Sequence, residues 1–427
     1  MRTFTRVSDG QMLRGQKLLG TGGQGEVWRA ELDGRSVAVK IYHQQSATPP
    51  QRAAIERLVD KGPPAKYFLW PSALVEDRAT GSFGYIMELR EPRFRALEDF
   101  MTRRVEPTFR ALLTASWQLA DGFLRLHSQG FCYRDISFGN VFFDPTSGDI
   151  QICDNDNVDI SGTEVGGILG TPRFMAPEVV RLEAVPSDQT DRFSLAVLLF
   201  HLTMGGHPLD GELEAKIHCM DGPGLARVYG FKPLYIFDPS DPSNRPRPGL
   251  HNNPIVFHPL YPAQLRDLFL RAFTDGMHYP AKRVRESEWR KAFARAMDSI
   301  LLCACTCENF YDGEALRAQG PGQCWSCRRP LTLPPRIRIE SDVVMLTSAT
   351  KLYGYHLGAA QDDVTPVADL AHNPTNPAML GLRNLTSEAW TLTRPDGSLV
   401  DVAPGRSAPI VAGNKINFGS ATGEIRT

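Results

Sequence analysis

The 427-residue chain has no excess of either charge: 47 Lys and Arg stand against 48 Asp and Glu. Without a basic field there is no general pull toward nucleic acid or an anionic membrane. Long apolar runs are also missing. The longest, Phe193 to Met204, is interrupted by Ser194 and His201. It is shorter than the ~20 residues a bilayer demands and reads as a buried core helix. The opening residues, Met1-Arg2-Thr3-Phe4-Thr5-Arg6, contain no apolar core of signal-peptide length. These absences predict a cytoplasmic protein with neither nucleic acid nor membrane as partner. Hydrophobic residues at 42% and charged residues at 22% are ordinary for a globular chain, long enough here for two or three domains.

What is present is a set of short motifs in order. Tyr133-Arg134-Asp135-Ile136-Ser137-Phe138-Gly139-Asn140 sets a carboxylate and a carboxamide five residues apart, ahead of the strand-like Val141-Phe142-Phe143. Phosphoryl transfer needs such a pair: an Asp to orient an attacking hydroxyl and take its proton, an Asn to hold a magnesium ion. Upstream lie Gly20-Thr21-Gly22-Gly23-Gln24-Gly25-Glu26-Val27 and Val37-Ala38-Val39-Lys40; downstream come Asp154 and Ala176-Pro177-Glu178. Their order and spacing match the protein-kinase signature set.

On these residues the chain resembles eukaryotic-type serine/threonine protein kinases over residues 12–298. The resemblance implies an α+β, bilobal fold with a small lobe at 12–89 and a large lobe at 90–298. It implies ATP and Mg²⁺ as cofactors. Gly20, Thr21, Gly22, Gly23 and Gly25 are expected to curl the backbone over a triphosphate, with Val27 capping the adenine and Ala38 beside it. Lys40 is expected to reach the α- and β-phosphates. Its ammonium needs an acidic partner, for which Glu56 on a 51–61 helix is the first candidate and Glu76, after the Trp70-Pro71 break, the weaker one. By resemblance, Met87 lines the back of the adenine pocket, and the backbone at Glu88 and Leu89 supplies its hydrogen bonds. Asp135 is the expected base; Asn140 and Asp154 are the expected magnesium ligands.

Two positions depart from the pattern. The metal-binding triplet is Asp154-Asn155-Asp156, with a polar Asn155 where kinases carry Phe. Asp156 is open to two readings, a further metal contact or a solvated side chain. Ser137 stands where serine/threonine kinases usually carry Lys, so a nucleotide-binding pseudokinase scaffold stays as an alternative. A small-molecule phosphotransferase is a second one, weakened by Gly170-Thr171-Pro172 and Ala176-Pro177-Glu178, which resemble the end of an activation segment. There the family pairs a Glu with an Arg, here Glu178 with Arg283, and anchors the catalytic loop on an Asp, here Asp191. Arg134 marks the type regulated by activation-segment phosphorylation. Ser161, Thr163 and Thr171 are the candidate sites, although Thr171 is expected to contact the catalytic Asp, as in related kinases.

Elsewhere, apolar spacing predicts helices at 51–61, 108–129, 191–204, 262–273 and 287–301. Asp221 to Pro262 holds nine prolines, which excludes long regular helix or central strand. It reads as an ordered surface insertion or as a dock for substrate or partner.

Beyond residue 300 the character changes. Cys303, Cys305, Cys307, Cys324 and Cys327 cluster within 25 residues. Four thiolates from two turns satisfy a closed tetrahedral zinc site, the alternative being reduced or redox-active thiols; five cysteines compete for the four places. The reading is a zinc ribbon at 299–332, then a linker at Leu333-Pro334-Pro335. Residues 336–427 read as a small all-β domain with a hairpin at Pro395-Asp396-Gly397. Gly413-Asn414-Lys415-Ile416-Asn417-Phe418-Gly419 resembles the last strands of a forkhead-associated β-sandwich, without that family's phosphothreonine-binding Arg and Ser. Kinase, ribbon and β domain in this order resemble the kinase of the bacterial TerY-phosphorylation triad. That resemblance implies signalling linked to tellurite resistance, with protein substrates, a von Willebrand A-domain protein and a metal-dependent protein phosphatase as partners.

Overall fold

The computed structural model describes residues 2–162, 169–313, 322–358, 365–372 and 379–427. Two compact units emerge: residues 1–258 with 266–291, and residues 259–265 with 292–427.

The first unit begins with six antiparallel strands, β1 (Thr3–Arg6), β2 (Met12–Thr21), β3 (Gly25–Leu32), β4 (Arg35–Tyr42), β5 (Ala73–Asp77) and β6 (Ser82–Glu88). They close in the order β1-β2-β3-β4-β6-β5. Phe4, Leu13, Ala30, Val39, Ile41, Val75 and Ile86 fill the interior. The expected boundary at residue 12 therefore falls inside the sheet. β1 pairs with both β2 and β5, and Phe4 on it is fully buried, so four residues close the barrel. Close approach of β4 and β6 demands glycine at 84, where a Cβ would lie 1.8 Å from the Lys40 carbonyl oxygen.

Between β4 and β5 runs α1 (Pro49–Lys61). Thr48 caps it by accepting from the Gln51 amide, proline occupies its first turn, and Gly62 at φ 74° ends it. Ile55 and Leu58 form its buried face.

The larger part is helical. Thr108 caps the helix Phe109–Ser128. Ser187 and Thr190 form a capping box for Asp188–Met204, which ends at a left-handed Gly205. That second helix is buried around nearly its whole circumference, as a run apolar on every face apart from Ser194, His201 and Thr203 predicts. The strands Val141–Phe143 and Ile150–Ile152 pair antiparallel and carry the two loops of the site. The proline-rich stretch is ordered as short turns and helices. Asn244 pins it from inside, donating to the Leu209 carbonyl at 3.0 Å and the Leu234 carbonyl at 2.6 Å, while Tyr235 and Ile236 are buried.

In the second unit, strands Ile300–Leu302 and Glu308–Phe310 form an antiparallel pair that presents the first cysteines. Beyond it is a two-sheet sandwich. One sheet has six strands, in the order Asp342–Met345, Arg336–Ile339, Thr422–Arg426, Lys415–Asn417, Trp390–Thr393, Leu399–Val402. The other runs Lys351–Tyr353, Pro366–His372, Leu380–Asn384, Ser407–Pro409. Alternate residues such as Ile337 and Ile339, or Trp390 and Leu392, share one core with Leu352, Ala368 and Leu382 of the facing sheet. The turn at Pro395-Asp396-Gly397 joins Trp390–Thr393 to Leu399–Val402, with Gly397 at φ 86°.

Candidate functional site

Asp191, at the start of the buried helix, holds the loop that carries Asp135. Its carboxylate accepts from the backbone amides of Tyr133 and, at 3.0 Å, Arg134. It also faces His127 Nε2 at 3.1 Å, and His127 Nδ1 lies 2.6 Å from Glu286. Burial lowers the affinity of His127 for its proton, but the two carboxylates outweigh it and push the imidazole up to about 9. Arg134, with φ at 74°, is held in the left-handed region by these bonds, a conformation costly for a residue with a Cβ.

The loop then delivers Asp135. Thr171 Oγ1 donates to Asp135 Oδ1 at 2.8 Å. Asn140 Nδ2 donates to the Asp135 carbonyl at 2.8 Å and to its carboxylate at 3.2 Å. In turn the Cys153 amide donates to the Asn140 carbonyl at 2.9 Å, which sets Asp154 beside the loop. Asp154 adopts φ 52°, and its Oδ1 lies 3.3 Å from Lys40 Nζ. Lys40, Asp154, Asn140 and Asp135 therefore form one connected row, although three separate stretches supply them.

Lys40 is paired differently from expectation. Its ammonium lies 2.8 Å from Asp156, and Tyr42 donates its hydroxyl to the same carboxylate at 2.6 Å. Gln51 on α1 closes the cluster, donating to Tyr42 and to the Asp156 carbonyl, both at 3.1 Å. Glu56 is not the partner. It stands one residue, about 100° of helix, past the buried Ile55 and pairs with Arg52 on the outer surface. Arg52 also takes Glu76, at 3.0 Å, so neither expected carboxylate reaches Lys40. Asp156 is not solvated, its side chain being fully buried. Burial alone would raise its pKa, yet Lys40 and Tyr42 hold it below the usual carboxylate range.

Asn155, the polar replacement for Phe, is buried. It donates to the Leu69 carbonyl at 2.8 Å and the Ile152 carbonyl at 3.1 Å. A hydrogen-bonded latch to backbone takes the place of aromatic packing.

The glycine turn joins β2 to β3 and is closed by a Gly22 amide to Gly25 carbonyl bond of 2.9 Å. Gly20, Gly22 and Gly23 have no protein atom within 4 Å of where a Cβ would sit, and Thr21 is exposed. Val27 registers opposite Lys40, and Ala38 opposite Met87. Ala38 and Met87 are buried, Glu88 ends β6 exposed, and Leu89 follows it.

From the loop of Asp135, Arg134 binds Asp159 at 3.2 Å, and Arg57 of α1 binds the same carboxylate at 3.1 Å. An aspartate thus pairs with the guanidinium that the resemblance sets opposite an activation-segment phosphate. Ser161 exchanges hydrogen bonds with Asp188, donating to its carboxylate and accepting from its amide; Thr171 is committed to Asp135; Thr163 lies outside the described residues. Glu178 pairs with Arg283 at 2.8 Å. Sequence reasoning missed Tyr42, Gln51, Asp159 and His127 and left Asp156 undecided. The one available signal was a carboxylate at the third position of the triplet, where the family carries glycine.

In the second unit, Cys303, Cys305, Cys324 and Cys327 place their sulfurs within 4.8 Å of one another. Cys303 lies 3.5 Å from Cys327, and Cys305 lies 3.7 Å from Cys324. A tetrahedron with metal–sulfur bonds of ~2.3 Å has sulfur–sulfur edges of ~3.8 Å, so the donor set fits a thiolate-bound metal. Cys307 does not join the four; its carbonyl accepts from the Cys303 amide at 3.0 Å.

The model of the protein kinase domain family matches residues 13–244. Serine/threonine-protein kinase pkn2 of Myxococcus xanthus is 29% identical over 222 residues, 48% of this chain and 26% of that protein. Serine/threonine-protein kinase PknA of Mycobacterium tuberculosis is 30% identical over 213 residues, 46% of this chain and 48% of PknA. Protein kinase YegI of Escherichia coli is 26% identical over 326 residues, 70% of this chain and 47% of YegI. The chain thus spans less than half the length of each of these relatives. With the motif residues brought together on one row and the family model covering more than half its length, this chain belongs to the protein kinase family.

Proposed function

We propose that the protein transfers the γ-phosphoryl group of ATP to Ser or Thr hydroxyls of protein substrates, with Mg²⁺ as cofactor. The observation that carries this reading is the convergence of Lys40, Asp154, Asn140 and Asp135. Asn140 and Asp154 would hold Mg²⁺, which supplies charge neutralisation to the phosphates. The open backbone of the glycine turn receives the triphosphate, and Lys40 fixes its α- and β-phosphates. Asp135, kept in place by Thr171 and Asn140, orients the acceptor hydroxyl and takes its proton. Most of the rate enhancement then comes from positioning and from fixed charge.

The pseudokinase alternative rests on Asn155 and Ser137, yet Asn155 is buried and bonded to backbone, and Asp154 still lies 3.3 Å from Lys40. The small-molecule phosphotransferase alternative is disfavoured by the Glu178–Arg283 pair. Asp135→Ala is expected to lower turnover about 10²–10⁴-fold, measured as phosphate transfer to a generic Ser/Thr protein substrate. Undiminished transfer by that variant refutes the assignment.

Cys303, Cys305, Cys324 and Cys327 would hold one structural zinc in a ribbon at 299–332, and the sandwich at 336–427 is read as forkhead-associated-like. By the triad resemblance, the partners are a von Willebrand A-domain protein and a metal-dependent protein phosphatase, in cytoplasmic signalling tied to tellurite resistance. Mass spectrometry of phosphopeptides, after mixing the purified chain with ATP and those candidates, tests this directly.

A further inference from the structure

We infer that Asp156 is the positioning residue for Lys40, doing from the metal-binding loop what a glutamate on α1 would otherwise do. The inference deepens the kinase reading and rests on it.

α1 has only two acidic residues, Glu56 and Asp60, and both are exposed. Its inward positions are Gln51, Ile55 and Leu58, none of which carries charge. Lys40 is nonetheless almost fully buried, and a buried ammonium is stable only when paired and hydrogen-bonded. Among the described residues, the carboxylates it meets are Asp156 at 2.8 Å and Asp154 at 3.3 Å. Of the two, Asp154 has a side chain 45% exposed toward the site, whereas Asp156 has one with no exposure.

The division of labour follows from that difference. Asp154 faces outward and is free to turn to a magnesium ion. Asp156 is held by Tyr42 at 2.6 Å, and Gln51 secures its carbonyl, so it stays with Lys40. A glycine at this position would leave the buried ammonium with Asp154 alone and pull that side chain away from metal. The departure from the usual triplet and the outward turn of Glu56 on α1 are thus two sides of one relocation. One consequence is that aligning Lys40 does not require α1 to bring in a carboxylate. α1 contributes only the neutral Gln51.

The test reads Mg·ATP affinity of the full-length protein by titration calorimetry in wild type, Lys40→Met, Asp156→Asn and the double variant. Asp156→Asn is expected to weaken ATP binding about 10-fold or more, with the magnesium concentration at half-saturation unchanged. In the Lys40→Met background, adding Asp156→Asn is expected to cost nothing further, because its partner is gone. The double variant buries no unpaired charge, so it remains informative if Asp156→Asn alone does not fold. Gln51→Glu, which puts a carboxylate back on α1, is expected to restore part of the affinity lost in Asp156→Asn. The inference is overturned if Asp156→Asn binds like wild type, or if it shifts the magnesium requirement instead. A further loss in the Lys40→Met background overturns it as well. Wild type that binds Mg·ATP but transfers no phosphate removes the catalytic reading and leaves the positioning role standing; wild type that does not bind Mg·ATP removes both.

Discussion

His127 gives the protein a pH-dependent stability whose size follows from its surroundings. It is buried between Asp191 and Glu286, and its pKa is pushed from the ordinary 6.5 up to about 9. Each pKa unit is worth about 1.4 kcal/mol, so the proton on His127 contributes about 3 kcal/mol to the folded state. The folded pKa is the raised one. The contribution is therefore complete below pH ~6.5, where the unfolded chain also carries the proton, and is lost as pH rises toward and through ~9. About 2 kcal/mol should be gone by pH 8. Glu286, held down from 4.5 to about 2 by the same contact, works in the opposite window: its contribution is complete above pH ~4.5 and is lost as pH falls toward and through ~2. Urea midpoints for wild type and His127→Gln, measured from pH 6 to pH 9.5, isolate the effect, because glutamine cannot titrate. With a slope of about 3 kcal/mol/M, the gap between the two should narrow by about 1 M across that range. Parallel profiles for the two proteins would refute the reasoning. Since Asp191 also holds the Tyr133 and Arg134 amides, the same proton supports the loop that carries Asp135.

Three further outcomes are expected. Gly84→Ala forces a methyl to within 1.8 Å of the Lys40 carbonyl and should cost at least about 1–3 kcal/mol by parting β4 from β6; an unchanged melting temperature contradicts this. Arg283→Met leaves Glu178 without its partner and should destabilise by about 3–5 kcal/mol, partly recovered when Glu178→Gln is added; chemical denaturation of the single and double variants reads the coupling. Cys324→Ser should abolish bound zinc while Cys307→Ser retains one zinc per chain, as counted by elemental mass spectrometry; loss of metal in Cys307→Ser would show that the wrong four sulfurs are assigned.

Much of the site was legible because its parts are local. The glycine turn, the spacing of Asp135 and Asn140, and the paired cysteines are short motifs whose chemistry does not depend on distant chain. Helix positions followed in the same way: the apolar period placed Phe109–Ser128 and Ala263–Phe273 within a residue or two. Contacts made across the fold were not legible. β1 is only four residues long and earns its place by pairing with β5, some seventy residues away. The rotation of α1, which turns Glu56 outward, is set by which residues pack beneath it. The proline-rich stretch could be called irregular, but that Asn244 orders it from within depends on carbonyls of Leu209 and Leu234.

The amino-acid sequence by itself determined the chemistry available here: an ammonium, carboxylates, a carboxamide and a glycine turn for a nucleotide, and enough thiolates for a tetrahedral metal. Tertiary structure alone decided which of these groups meet. It gave Lys40 to Asp156 rather than Glu56, Arg134 to Asp159, and a tight cluster of sulfurs to four of the five cysteines. The reason is that an ion pair depends on distance and burial, and both are properties of the packed chain, not of the order of its residues.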